Sequence, residues 1–235
     1  MIVERDMLIS VLKLTKDGDV LIETVKKEAR AVSGFASKLL KRMENDGLIY
    51  LKDGRLMADS QSRVKIAVKA LCLGSDIERV SDSLRWQEFE EIAVIALEKN
   101  GYIVSQNVRF KHESHRFEID VVGCKKPLVL CIDCKHWHHG MSPSALMKIV
   151  DAQVKRTSAF ANSLPIINNE NECVKWGRVK FVPAVLSLIH GKLKFYGETP
   201  IIPVLQLQDF VNQLPAYSGS FRHFTKEFSH LRDNS

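Results

Sequence analysis

The sequence predicts an α/β protein in two parts: a small helical part that ends in a β-hairpin, and a larger mixed β-sheet flanked by helices. Apolar residues at helical spacing between Met7 and Met43, followed by the tight-turn pair Asp53–Gly54, indicate the first part. The order helix, three strands, helix, strand after Trp86 indicates the second. A length of 235 residues is sufficient for two domains of ordinary size.

In the N-terminal part, residues 1–74, we predict three helices before the hairpin. The first two cover residues 7–14 and 20–31. Ser33 is a candidate cap for the third, whose apolar positions repeat at helical spacing. These positions are Phe35, Leu39, Leu40 and Met43. The hairpin follows over residues 48–58, and a further helix over residues 61–73.

Three helices and a hairpin resemble a winged helix-turn-helix domain. The exposed flanks of the third helix carry Lys38, Lys41 and Arg42. The resemblance implies that these three cations contact DNA phosphates. A solvated helix face is the alternative.

The polar residues 75–83 are predicted to connect the two parts, and the sheet part then covers residues 84–215. It begins with an amphipathic helix over residues 86–100, which Gly101 ends. Its main strands and its long helix are predicted at residues 102–109, 117–122, 128–135, 144–163 (the helix) and 179–189. Two edge strands and a closing helix follow at residues 192–195, 201–205 and 207–214, and residues 216–235 form a tail.

Composition limits the class of protein. Thirty-four Lys and Arg against 28 Asp and Glu give a formal charge of +6, which fits a polyanionic partner without identifying one. Five cysteines, an odd number, lie mostly in apolar runs and favour free thiols in a reducing compartment. The sequence has neither a run of about 18 apolar residues nor an apolar stretch at its start. We therefore expect a cytoplasmic protein that does not bind a membrane.

Two predicted strands carry charged residues at positions where a buried sheet usually has apolar ones. Glu118 and Asp120 share one face of the first strand, and Asp133 and Lys135 share one face at the end of a nearly apolar one. Burial of an unpaired carboxylate costs several kcal/mol, so Asp133 should meet a cation, either Lys135 or a metal ion. Converging carboxylates suit Mg²⁺, and a nearby ammonium suits the hydrolysis of a phosphodiester.

This pattern resembles the PD-(D/E)xK nuclease superfamily, in particular archaeal Holliday-junction resolvases and Mrr-like restriction endonucleases. The matching residues are Phe89-Glu90 with Gly101-Tyr102, Glu118-Ile119-Asp120, Ile132-Asp133-Cys134-Lys135, and Gln153 with Arg156 on the next helix. Ile119 stands where the family motif nominally has proline, and Asp133 where it more often has Glu.

The resemblance implies a restriction-endonuclease-like fold and an endodeoxyribonuclease that uses Mg²⁺ or Mn²⁺, in repair, recombination or restriction. Asp120, Asp133 and Glu90 would hold the metal, with Lys135 and Gln153 as further catalytic residues. Glu90 is preferred to Glu88 and Glu91 because it follows Phe89. The resemblance also implies DNA as the partner and a possible homodimer.

Several alternatives stay open. Asp120, Asp133 and Lys135 could form a structural ion pair, and Glu90 could be an exposed helix charge. A non-catalytic DNA-binding regulator with a nuclease-like fold is the alternative function, and RNA cleavage is a third.

A zinc site is a further alternative, because Cys131 and Cys134 form a C-x-x-C motif next to His136, His138 and His139. Residues three apart lie on opposite faces of a strand, which opposes it. The histidines could instead touch DNA or form a solvated loop, and Trp137 is predicted to pack rather than to stack on a base.

Overall fold

The computed structural model describes residues 2–135, 142–167, 172–187 and 193–228, in two compact units that comprise Met1–Ile92 and Ala93–Ser235. The chain is an α/β protein with a central mixed sheet flanked by helices, as the sequence predicts. Among the described residues, no helix combines the length and the apolar character that crossing a membrane requires.

The first unit contains helices and a small antiparallel sheet. Its elements are α1 (Ile2–Leu14), β1 (Val20–Leu21), α2 (Ile22–Glu28), α3 (Ser33–Asn45), β2 (Tyr50–Lys52), β3 (Arg55–Met57), α4 (Ser60–Cys72) and α5 (Ile77–Asp82). The strands pair in the order β1-β3-β2. Asp53 and Gly54 have φ angles of 49° and 73°, so they form the predicted tight turn between β2 and β3.

Three predictions for the N-terminal helices are wrong in detail. Ser33 is the first helical residue of α3, and Val32, which has no capping side chain, occupies the cap position. Phe35 is 53% exposed because Ala36, Leu39, Leu40 and Met43 define the buried face, and Phe35 lies outside that stripe. The predicted second helix also begins two residues later, since Val20 and Leu21 pair with β3.

The predicted connection over residues 75–83 is part of the first unit. Its polar appearance conceals α5, from which Val80 enters the first core together with Leu84. Ser81 and Ser83 can be buried there because their hydroxyls donate to the carbonyls of Ile77 and Arg79 within the same segment. The boundary between the units therefore falls later, within α6 (Trp86–Lys99), than the sequence suggested.

The second unit is built on the larger sheet. Its further elements are β4 (Ile103–His112), β5 (His115–Lys125), β6 (Leu128–Lys135), α7 (Pro143–Ile167), β7 (Arg178–Ser187), β8 (Phe195–Tyr196), β9 (Thr199–Pro203), α8 (Leu207–Tyr217) and β10 (Phe224–Glu227), with short 3-10 helices at Glu172–Trp176 and Val204–Gln206. The described strands pair in the order β4-β5-β6-β7-β9-β8, and β10 adds to β7. The β6–β7 pair is parallel, so α7 is the crossover helix between them.

The core under α7 explains why one face of β6 is apolar. Val129 and Cys131 of β6 pack with Phe181 of β7 and with Phe160 and Leu164 of α7. All residues from Leu128 to Cys134 are buried, so both faces of β6 are covered, and only Lys135 at its end is partly exposed.

One strand lies in the predicted tail. Residues 216–235 contain the end of α8 and β10, whose Phe224 pairs with Phe181 in the antiparallel direction. Four residues give too short an alternation to identify from the sequence. Residues 229–235 lie outside the described part of the chain.

Candidate functional site

Asp120 and Asp133 lie at neighbouring positions on adjacent strands. In the antiparallel β5–β6 pair, Val121 is opposite Ile132, and the two aspartates are the next residues in each strand. The backbone N–H of Cys134 donates to Asp120 Oδ2 at 2.7 Å, which fixes the Asp120 carboxylate against β6. The structure therefore brings together the two carboxylates that the sequence singled out.

A local irregularity in β4 and β5 occurs at Asp120. The β4–β5 pairing continues in one register from Ile103 to His112 but lacks the Asn107–Asp120 pair, and Asn107 has a φ of 50°. Ile119 and Val122 belong to the same core although they are three residues apart, so the regular alternation of β5 is interrupted between them. The interruption is why the Asp120 carboxylate reaches the β6 backbone.

Asp133 is the centre of an ion-pair group. Its side chain is 4% exposed, and Lys135 Nζ lies 2.9 Å from Oδ1 and 2.8 Å from Oδ2. Arg156 Nη1 donates to Oδ1 at 2.7 Å. Among the described residues, Oδ2 accepts no hydrogen bond of good geometry despite the nearby ammonium. The ammonium contact at Oδ2 is thus electrostatic.

Gln153 and Arg156 occupy one face of α7 above the end of β6. Gln153 is fully buried, and its Nε2 donates to the Cys131 carbonyl at 2.9 Å. Its Oε1 accepts from Arg156 Nη1 at 3.5 Å. Gln153, which the sequence proposed as catalytic, therefore contacts the β6 backbone and the guanidinium that pairs with Asp133. The family resemblance placed Gln153 and Arg156 on the helix after β6, but it indicated neither of these contacts.

The protonation of Asp120 is shifted by its surroundings. Burial raises the pKa of its carboxyl, and the charge of Asp133 raises it further. The Cys134 N–H, Lys135 and Arg156 oppose this shift, but the net direction of the pKa is upward. A divalent cation near Asp120 would favour the ionised carboxylate.

The three glutamates at the start of α6 differ in their surroundings. Glu88 is fully buried and pairs with the equally buried Arg63 at 2.7 Å. That pairing gives Glu88 a structural role and favours Glu90 as the helical carboxylate. Glu90 is 5% exposed, so it is not the exposed helix charge that one alternative described. It belongs to the first unit, and its role beside Asp120 and Asp133 stays a prediction.

The cysteines of the C-x-x-C motif are both buried. Cys131 lies in the core beneath α7, where burial raises the pKa of its thiol to about 12. Cys134 lies three residues after Cys131, and its backbone N–H donates to the Asp120 carboxylate. Within the described residues, no group of three or more His, Cys, Asp or Glu side chains is placed to hold a metal ion. His136, Trp137, His138 and His139 lie outside those residues.

The cations proposed for DNA contact lie on the exposed side of α3. Lys38, Lys41 and Arg42 are all exposed, as the sequence predicted. Lys41 also pairs with Glu44 at 2.7 Å. Since this pair is at the surface, it is easily exchanged for a phosphate contact.

Comparison with known proteins gives a family match for the central region. The Mrr_cat family model, described as a restriction endonuclease, matches residues 81–163. The match supports a restriction-endonuclease-like fold for this region. An uncharacterized protein of Archaeoglobus fulgidus is 27% identical over 141 residues, which are 59% of this chain and 98% of that protein.

Two solved structures are also similar to the chain, at low sequence identity. Protein VC1899 from Vibrio cholerae and restriction endonuclease FokI each match at a TM-score of 0.37 with 13% identity over 93% of this chain. The matches cover 51% and 44% of the two structures, so the chain spans about half the length of the solved structures it matches.

The restriction-endonuclease-like match includes every residue of the predicted nuclease site. Its range, residues 81–163, contains Glu90, Asp120, Asp133, Lys135 and Gln153. It also contains Arg156, whose contact with Asp133 the sequence did not indicate. The α3 cations lie outside it.

Proposed function

We propose that the chain is a metal-dependent endodeoxyribonuclease that hydrolyses DNA phosphodiester bonds. The observation that carries the proposal is the convergence of Asp120, in the middle of β5, with Asp133 and Lys135 at the end of the adjacent β6. The match of residues 81–163 to a restriction endonuclease family supports the reaction class. Repair, recombination and restriction all use such an enzyme.

The donor atoms at this position suit Mg²⁺ or Mn²⁺. Asp120 and Asp133 would hold the ion, with Glu90 as a third proposed ligand. Magnesium commonly takes one or two protein carboxylates and completes its coordination with water and substrate phosphate, so a third protein ligand is not required. The buried Oδ2 of Asp133, which accepts no hydrogen bond of good geometry from the described residues, is a suitable donor. When bound, the ion supplies a Lewis acid that neutralises charge on the phosphate.

The proposed roles of the remaining residues follow from their contacts. Lys135 would orient the attacking water and stabilise the negative charge that grows on the phosphate oxygens. Arg156 would share the second role, because its guanidinium lies beside the same Asp133 carboxylate. Gln153 would hold β6 and Arg156 in register from α7. Gln153 is thus proposed as a positioning residue.

The first unit is proposed to guide DNA as a winged helix. Its order of elements, α1-β1-α2-α3-β2-β3 with β1 paired to β3, is the order of that domain. The third helix would then lie along DNA, with Lys38, Lys41 and Arg42 at the phosphates. Each neutralised phosphate releases counterions, so this binding would be salt-sensitive.

A second candidate function is a DNA-binding regulator that does not cleave. The observation in its favour is that Lys135 and Arg156 already supply two positive charges to Asp133. Ion pairs of this kind are also found in purely structural roles. The two functions differ in whether the protein cleaves DNA when a divalent cation is present.

The experiment is incubation of the full chain with labelled linear, flapped and four-way DNA and with single-stranded RNA, in Mg²⁺, Mn²⁺ or EDTA. We expect cleavage of DNA with metal and none with EDTA. Asp133→Asn should abolish cleavage while it preserves DNA binding, and Asp151→Asn, a neighbouring acid on α7, is the matched control. Binding without cleavage of any substrate would favour the regulator. Cleavage of RNA alone, or full activity in Asp133→Asn, would refute the proposal.

A further inference from the structure

The β4–β5 hairpin has a charged face that the proposed reaction does not use. In its register Arg109 is opposite Glu118, and Lys111 is opposite Arg116. The intervening pair, Phe110 and Phe117, belongs to the core under α7, and the Phe110 ring lies 5.2 Å from that of Phe160. Because alternate side chains point to opposite faces, the four charged residues face away from α7.

This face is basic and accessible. We call Arg109, Lys111 and Arg116 the basic ladder. The Arg109 side chain is 76% exposed, and Lys111 and Arg116 are also exposed. Glu118 is the single acid on the face, and its carboxylate accepts from Arg109 Nε at 2.9 Å. A cleft of about 550 Å³ is lined by these four residues together with Phe110 and Phe117.

The basic ladder is close in the chain to the proposed metal ligands. Arg116 and Glu118 lie four and two residues before Asp120 in β5, and the interruption of the strand at Asp120 separates its side chain from the ladder's face. Four residues separate Arg116 from Asp120, which limits the distance between their Cα atoms to about 14 Å. Duplex DNA carries one negative charge per roughly 1.7 Å of its axis. A duplex with one phosphodiester at Asp120 would thus bring several more phosphates within this distance.

We propose that the basic ladder binds the phosphates that flank the cleaved one, and that Glu118 weakens this contact by neutralising Arg109. The inference rests on the proposed function, since it takes DNA as the substrate. It adds a second phosphate-binding surface, within the nuclease-like unit itself. Removal of a cation from the ladder should weaken DNA binding, whereas neutralisation of Glu118 should strengthen it. A general effect of charge on folding would not produce these opposite changes.

The test is binding of a labelled linear duplex by the full chain in EDTA across a salt series. Lys111→Ala and Arg116→Ala should each make the slope of log K against log salt shallower by about 0.9. Glu118→Gln should make it steeper and tighten binding, because it releases Arg109. Lys175→Ala is the matched control: Lys175 is an exposed cation that precedes β7, and β6 and β7 run parallel, so it lies at the end of the sheet opposite Asp133. Its slope should equal that of the wild type.

Each outcome decides the inference separately from the proposed function. Shallower slopes in the ladder variants and a steeper one in Glu118→Gln support the ladder, even for a protein that never cleaves. Equal slopes in all variants, with unchanged melting temperatures, overturn the ladder and leave the nuclease proposal to its own cleavage test. An acidic protein as the true partner would give the same equal slopes on DNA. Failure of the wild type to bind DNA overturns both.

Discussion

The buried Arg63–Glu88 pair in the first unit gives the sharpest expectation for stability. Both side chains are fully buried, and every N–H of the guanidinium has an acceptor. Arg63 donates to both Glu88 carboxylate oxygens, to the carbonyls of Leu12 and Ser83, and to the Thr15 hydroxyl. The pair therefore joins α4 to the end of α1 and to the segment before α6. Loss of one partner would leave a charge buried without a counter-charge.

We expect Glu88→Ala to lower the free energy of unfolding of the first unit by about 3–5 kcal/mol, the usual cost of breaking a buried ion pair. Part of this loss comes from the start of α6, where Glu88 also accepts from the backbone N–H of Arg85 at 2.8 Å. For a domain of this size, 1 kcal/mol corresponds to roughly 4–8 °C in Tm. The Tm of the first transition should thus fall by more than about 10 °C.

The assay is thermal and urea unfolding followed by far-UV circular dichroism, with Glu28→Ala as control. Glu28 pairs with Lys13 at 2.6 Å, but both side chains are exposed, at 41% and 61%. Its loss should leave the Tm unchanged. The double variant Arg63→Met with Glu88→Leu should be more stable than Glu88→Ala, because it removes both charges and keeps the volume, but it should stay below the wild type, because the carbonyls of Leu12 and Ser83 lose their donor. Equal Tm values for Glu88→Ala and Glu28→Ala would refute the reasoning.

Three further predictions concern the second unit. Lys135→Ala should lower kcat by about 10²–10³, the usual loss for one electrostatic stabiliser, and a change below tenfold in single-turnover cleavage would indicate a structural role. In EDTA, the difference in Tm between the wild type and Asp120→Asn should change with pH, the wild type losing stability relative to the variant as the pH rises. The pKa of the Asp120 carboxyl is raised in the folded protein, so its contribution to stability is complete below the unfolded pKa and is lost as the pH rises through the folded pKa. A pH-independent difference contradicts this. Elemental analysis of chelator-free protein should find no stoichiometric zinc, since Cys131 is a core thiol with a pKa raised to about 12 and the nearby donors are carboxylates; one tightly held zinc per chain would reverse that assignment.

The sequence predicted the elements whose patterns are long. The bounds of β6, Leu128–Lys135, match the prediction, because burial on both faces requires an apolar run that only a charged end can stop. The hairpin turn at Asp53–Gly54 was also predicted, since Asp-Gly is the usual solution for two successive positive φ angles. The alternation in β5 correctly separated the charged Glu118 from the buried Ile119.

The features that the sequence did not predict depend on contacts between distant residues. The pairing of Arg63 with Glu88 joins residues 25 positions apart, and no local pattern marks either one as buried. The hydrogen bond from Cys134 to Asp120 requires the interruption at Asn107, a residue whose positive φ has no sequence signature beyond the tolerance of Asn for that region. The sequence placed Arg156 on the correct helix. Its hydrogen bond to Asp133 depends on how α7 packs on the sheet, which no local pattern shows.

The balance of charge at the site explains how one arrangement could serve both a resting protein and a catalyst. Without a metal, the two negative charges of Asp120 and Asp133 are matched by the two positive charges of Lys135 and Arg156. A divalent cation would raise the net charge of these four side chains and the ion to +2, which favours the approach of a polyanion. Attack of hydroxide on a phosphodiester gives a transition state with two negative charges, and the sum returns to zero. In the proposed nuclease, the cations that stabilise Asp133 in the resting protein would also stabilise the transition state, so removal of Arg156 should impair cleavage even though it is not a proposed metal ligand.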